Sequence, residues 1–150
     1  MKRTLFCAAL AALLASCSLP KATVVEDPLT PWEHIQLGAA YEKQGKFDLA
    51  RKEYMEAADK DPAGHMFLGN LLFFKGDYEG AAKHYQKAMK MLPGDYRPKN
   101  NLAFTWAAMG IRLREARRLA EEAMDQAPQD RKTECQDTLD LVMEKQAQVR

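Results

Sequence analysis

Two stretches of this chain superimpose at a spacing of 31 residues, and a chain that repeats on that scale is confined to arrays of one small supersecondary unit. Leu37-Gly38 returns as Leu68-Gly69, Gly45 as Gly76, Ala50 as Ala81, Tyr54 as Tyr85, Ala57 as Ala88 and Pro62 as Pro93. Lys46-Phe47-Asp48 is echoed in Asp77-Tyr78-Glu79. A third copy follows at a spacing of 34, with Leu102-Ala103 in the Leu-Gly place, Trp106 at the next aromatic and Gly110 at the turn. One extra residue then enters, and Ala116, Ala120, Ala123 and Pro128 complete the copy.

The recurring residue types have a common physical reading. Gly38 and Gly69 lack a side chain where a paired helix must come close, and Ala50, Ala57, Ala81 and Ala88 serve the same need on the second helices. Tyr41, Tyr54 and Tyr85 fill the larger gaps. Gly45, Gly76 and Gly110 end the first helix of each pair, where a left-handed residue is wanted. Pro62, Pro93 and Pro128 close the second helices, since proline does not continue one. Thr30-Pro31-Trp32-Glu33 is a capping box with proline in the first helical position. The pattern predicts helices over 31–44, 47–60, 63–75, 78–91, 97–109 and 112–126. A last one runs from Lys132 to Gln148 and covers the apolar end of the stack, because terminal repeats need caps.

From Pro31 to Pro128 this pattern resembles the tetratricopeptide repeat, a helix-turn-helix unit of 34 residues. The resemblance implies an all-α solenoid of about three repeats (31–61, 62–95 and 96–130) with a C-terminal capping helix over 131–150. The chain departs from the family in three places. The first-to-second spacing is three residues short, so the junction Asp61-Pro62-Ala63-Gly64 must be tight. Ala103 and Asp140 replace the small glycine, and His34 and His65 stand where the family often has tryptophan.

The N-terminus reads as an address. Lys2 and Arg3 precede a run from Leu5 to Ala15 that is apolar except for Cys7, followed by small residues before Cys17. That order is the layout of an export signal, and the run is far shorter than the roughly 20 residues a membrane-spanning helix needs. Leu14-Ala15-Ser16-Cys17 resembles the lipobox of bacterial lipoproteins. The resemblance implies cleavage after Ser16, removal of residues 1–16 and acylation of Cys17. Two or three acyl chains give stable membrane anchoring where one does not. Ser18 in place of aspartate points to the outer membrane, facing the periplasm. Residues 17–30 then form the lipidated cysteine and a tether, and thirteen residues of tether reach at most about 45 Å.

In the repeat family the first helices line a concave groove for partner peptide. Carried onto this sequence, the groove-facing candidates are Ile35, Ala39, Glu42, Met66, Asn70, Phe73, Phe74, Asn101, Phe104 and Ala108. Phe73 and Phe74 are adjacent, so at least one is expected to be exposed, and exposed aromatics are favoured anchors. Asn70 and Asn101 are placed to pair with the backbone of an extended ligand. They match two members of the carboxylate-gripping set found in some relatives. The basic members are missing, with Met66, Glu134 and Thr138 in their places, so the groove is expected to be apolar and amidic.

Other chemistry finds little footing. The formal net charge of +1 becomes 20 basic against 21 acidic residues once the signal is removed, without the basic excess of a nucleic-acid binder. Arg112, Arg114, Arg117 and Arg118 cluster, with Glu115, Glu121 and Glu122 close enough to neutralise them. His34 and His65 are repeat-equivalent and read as packing residues, and Cys135 as a small buried one. No phosphate loop, serine elbow or zinc-spaced cluster occurs. The sequence therefore leads us to expect no enzyme, catalytic residue, metal, cofactor or small-molecule substrate. The expected function is a lipid-anchored scaffold whose protein partners belong to an envelope complex such as a pilus or secretion system. The alternatives are an accessory subunit of an envelope peptidase or cell-wall hydrolase, and a self-associating structural lipoprotein.

Overall fold

In the computed structural model, which describes residues 28–149, the sequence repeat becomes three helix pairs. They are α1 (Pro31–Lys43) with α2 (Phe47–Ala58), α3 (Pro62–Phe74) with α4 (Tyr78–Met91), and α5 (Tyr96–Met109) with α6 (Leu113–Gln126). A 3-10 turn (Gln129–Arg131) leads into α7 (Lys132–Gln148), and no strand occurs among the described residues. Each helix packs on its partner, each second helix packs on the next first helix, and α7 covers both α5 and α6. The export signal at 1–16, Cys17 and most of the tether lie outside the described residues.

The helix ends form for the reasons the sequence suggested. Thr30 and Glu33 cap α1 reciprocally: the Glu33 amide donates to Thr30 Oγ1 at 3.3 Å, and the Thr30 amide donates to Glu33 Oε2 at 2.7 Å. Gly45, Gly76 and Gly110 have φ of 71°, 80° and 67°, the left-handed region in which glycine escapes the Cβ clash. One proline acts differently from expectation. Pro62 closes nothing; it is the first residue of α3, where its missing N–H costs no hydrogen bond, and Asp61 caps the helix by accepting from the Ala63 amide.

The pairs are held by one crossing contact. A Cβ built on Gly38 would lie 2.5 Å from the Tyr54 ring, and one on Gly69 would lie 2.6 Å from the Tyr85 ring. Glycine on the first helix and tyrosine on the second are thus two halves of one fit. The third pair solves the same crossing with other residues. Ala103 and Ala120 take the two places, both fully buried in the central cluster with Leu102, Trp106 and Leu119. Removing the tyrosine ring is what admits the extra methyl group at Ala103.

The short first repeat has its own cause. At Gly64 an added Cβ would meet the Ala58 backbone nitrogen at 2.2 Å and the Ala57 carbonyl carbon at 2.6 Å. The start of α3 lies directly on the end of α2, so the tight junction depends on this glycine. At the far end, Cys135 and Val142 of α7 are fully buried, Cys135 against Ala123 and Ala127. Burial pushes the Cys135 thiol up, as suits a packing residue.

The two kinds of glycine should respond unequally to a methyl group. Gly69→Ala presses on a side chain that has some room to rotate and should cost about 1–3 kcal/mol. Gly64→Ala presses on backbone and should cost more, about 3 kcal/mol or above. Urea unfolding of the two variants ranks them; equal midpoints, or Gly64→Ala as stable as the parent, would contradict the packing described.

Candidate functional site

The first helices α1, α3 and α5 lie side by side and leave two adjoining hollows along their shared surface. The first, about 470 Å³, is lined by Ala39, Glu42 and Lys43 of α1, Phe47 and Tyr54 of α2, and Phe67, Asn70 and Phe74 of α3. The second, about 500 Å³, takes its walls from Met66, Phe67 and Asn70 of α3 and from Tyr96, Arg97 and Asn101 of α5. It is closed by Pro128, Asp130, Arg131 and Glu134. Phe67 and Asn70 line both, so the hollows form one trough.

Asn70 and Asn101 meet at its centre. The Asn101 amide nitrogen donates to Asn70 Oδ1 at 3.1 Å, and the Tyr85 hydroxyl donates to the same oxygen at 2.8 Å. The two asparagines therefore hold each other, which leaves the Asn70 amide nitrogen as donor and the Asn101 carbonyl oxygen as acceptor on two side chains that line the trough. Burial is the main cause of a raised Tyr85 hydroxyl, with the Asn101 side chain pulling the other way. The structural tyrosine of the second pair thus also orients the polar floor of the trough.

The sequence-selected residues divide by their angle to the crossing glycine. Ile35 and Met66 stand three residues before Gly38 and Gly69 on the same helix faces. They are accordingly buried, at 3% and 8% exposure, Met66 in the central cluster. Ile35 is not a groove residue, and Met66 supplies floor rather than a free contact surface. Phe73, four residues after Gly69, is half-buried against Tyr78 and Phe104, with ring centroids 4.9 and 5.5 Å away. Phe74, one position on, is 69% exposed, the arrangement expected of the adjacent pair. Phe104 is exposed at 39% and Ala108 is also exposed.

Several trough residues went unforeseen. Phe47 and Tyr54 come from α2, outside the set of first helices, although Phe47 begins a helix opposite Phe74, and their centroids are 5.8 Å apart. Arg97 and Arg131 bring basic groups at places other than those compared with the carboxylate-gripping set. The trough is therefore aromatic with a carboxylate at one end and lined by several charged groups at the other, not apolar and amidic throughout. Arg97 is largely spoken for: it chelates Asp95, the N-cap of α5, with Nε 3.0 Å from both carboxylate oxygens, and holds that carboxyl below its usual range.

Residues 34–63 and 62–95 each match a tetratricopeptide-repeat family model. This is a tetratricopeptide-repeat solenoid. The third pair, where Ala103 and Ala120 replace glycine and tyrosine, lies beyond the two matched segments. No curated protein matches the chain. The repeat supplies a surface for protein partners, and among the described residues no group of three or more His, Cys, Asp or Glu side chains converges as metal ligands would.

The repeat-equivalent histidines are more than packing. His34 Nδ1 lies 2.8 Å from Glu53 Oε2, and one repeat later His65 Nδ1 lies 3.2 Å from His84 Nδ1. The third repeat places Lys99 there, its Nζ donating to the Pro93 carbonyl and to Gln126 Oε1, each at 2.7 Å. Three of the four arginines in the basic cluster meet the expected glutamates, Arg112 with Glu115, Arg117 with Glu121 at 2.8 Å, and Arg118 with Glu122.

The His65–His84 contact needs a proton on one Nδ1 and a lone pair on the other. Burial, then His65, Lys87 and Arg51, lower His84 to about 4 against the opposing pull of Asp77. Burial and Lys87 also lower His65, against Asp59. A base held below its unfolded value of about 6.5 contributes fully above that pH and loses its contribution as the pH falls toward its folded value. Thermal stability should therefore drop between about pH 6.5 and the His84 value of about 4. His84→Gln should make that drop smaller; an equally steep fall in the variant would show that the pair is not responsible.

Proposed function

We propose that this chain is a lipid-anchored adaptor of the bacterial cell envelope that holds an extended segment of a partner protein in the trough across α1, α3 and α5. The reading is carried by one observation: Phe74, 69% exposed, stands in the same hollow as Asn70, whose amide is fixed by Tyr85 and Asn101. An exposed aromatic beside an oriented donor and acceptor offers an extended chain both an anchor and backbone pairing.

Anchoring rests on the sequence alone. Lys2-Arg3, the apolar run and Leu14-Ala15-Ser16-Cys17 supply the export signal and the acylated cysteine, and Ser18 favours the outer membrane. The tether then keeps the solenoid within about 45 Å of the bilayer surface. Partners of this kind belong to an assembly built in the envelope, such as a pilus or secretion apparatus. The chain's task is to position them, with no chemistry of its own.

Two substitutions separate the parts. Phe74→Asp should reduce partner capture from detergent-solubilised membranes by about tenfold or more, with the helical signal by circular dichroism unchanged. Undiminished capture would move the binding surface elsewhere. Cys17→Ala should transfer the protein to the soluble periplasmic fraction, and continued membrane residence would refute lipid anchoring.

A further inference from the structure

The hollow between the first and second repeats combines aromatic walls with a carboxylate. Phe47, Tyr54, Phe67 and Phe74 surround it, with Phe47 and Phe74 centroids 5.8 Å apart and Tyr54 and Phe67 centroids 5.6 Å apart. Glu42 lines the same space and accepts from the Tyr54 hydroxyl at 2.8 Å through Oε2. Tyr54 is raised by burial first and by Glu42 second, which keeps it a hydrogen donor to the carboxylate. One hydrogen bond leaves most of the carboxylate's acceptor capacity facing the hollow.

We infer that this hollow is a subsite for an arginine side chain of the partner's extended segment. The inference rests on the trough being a peptide groove and names what its aromatic end selects. A purely apolar guest would strip water from Glu42 and return no hydrogen bond, which is costly. A guanidinium answers both surfaces: its flat faces stack on aromatic rings and its edge donates to a carboxylate, and it is less tightly hydrated than an ammonium. The rings of this protein already attract cations, with Lys75 Nζ 4.6 Å from the Phe47 centroid and the Arg112 guanidinium 4.4 Å from that of Trp106. Lys43, exposed on the rim, is the one like charge among the lining residues of this hollow and sets a limit on affinity. Asn70, at the inner edge of the hollow, holds the backbone that carries the arginine.

The test uses a capped pentapeptide, acetyl-Gly-Ala-Arg-Ala-Gly-amide, with versions carrying citrulline or leucine in place of arginine. Each is titrated against the full-length chain while the ring resonances of Phe47, Phe67 and Phe74 are followed by NMR. The arginine peptide should shift all three rings. The neutral citrulline isostere should bind roughly tenfold more weakly, and added salt should weaken the arginine peptide selectively. Glu42→Gln keeps an acceptor for Tyr54 but removes the charge, and should lower arginine-peptide affinity by about tenfold without changing the unfolding midpoint. Lys43→Ala should tighten binding. Equal or tighter binding of the leucine peptide at these rings would overturn the arginine assignment while leaving the trough a peptide groove. So would unchanged affinity in Glu42→Gln. Failure of every peptide to shift these rings, together with partner capture that survives Phe74→Asp, would overturn both readings.

Discussion

The distance between the two helices of a repeat decides everything built on them, and in the first two repeats that distance is set by a tyrosine ring pressed against a bare glycine backbone. Tyr54 on Gly38 and Tyr85 on Gly69 come within the space a single methyl group would need. Interiors packed to crystal-like density leave no slack for that methyl group. The crossing thereby fixes how closely the two helices of a repeat approach, while Gly64 lets the second pair sit directly on the first. The third repeat exchanges both partners at once, alanine for glycine and alanine for tyrosine, and buries both.

The same tyrosines reach from the core to the trough. Tyr85 closes on Asn70, and Tyr54 closes on Glu42. Each tyrosine therefore has two tasks: the ring sets the helix crossing, and the hydroxyl at its far end orients a polar side chain that lines the trough. A replacement that preserved volume but lost the hydroxyl would leave the solenoid standing and release the side chains on its inner surface. Around these points Phe47, Phe67 and Phe74 offer apolar surface, whereas Phe73 packs on Tyr78 and Phe104, and none of these last three lines either hollow.

Most of the architecture was legible in the sequence because repetition supplies its own control. A glycine that recurs with a tyrosine at fixed offset reports a contact, whereas either alone reports little. The helix pairs, the left-handed turn glycines, the capping box at Thr30 and the tightness of the short junction were all readable in this way. The site was less legible. Membership of a first helix was enough to nominate Ile35 and Met66, but their place three residues before the crossing glycine turns them inward. Phe47 and Tyr54 were missed because they come from a second helix, and Arg97 and Arg131 because they reach the trough from a helix start and a turn. The His65–His84 pair joins adjacent helices through residues nineteen apart, and the likeness of His34 to His65 concealed that their partners, Glu53 and His84, differ in chemistry. Sequence spacing records which face a residue shares; it does not record what stands across from it.

In the function proposed above, a lipid anchor would limit where the chain works and the trough would limit what it holds. The most direct measurement of that account is site-specific photo-crosslinking in living cells, with a photoreactive phenylalanine analogue placed at Phe74 in the trough or at the exposed Arg118 on α6. The account predicts a discrete adduct to another envelope protein from position 74 and none from position 118. An adduct from position 118 alone would contradict it.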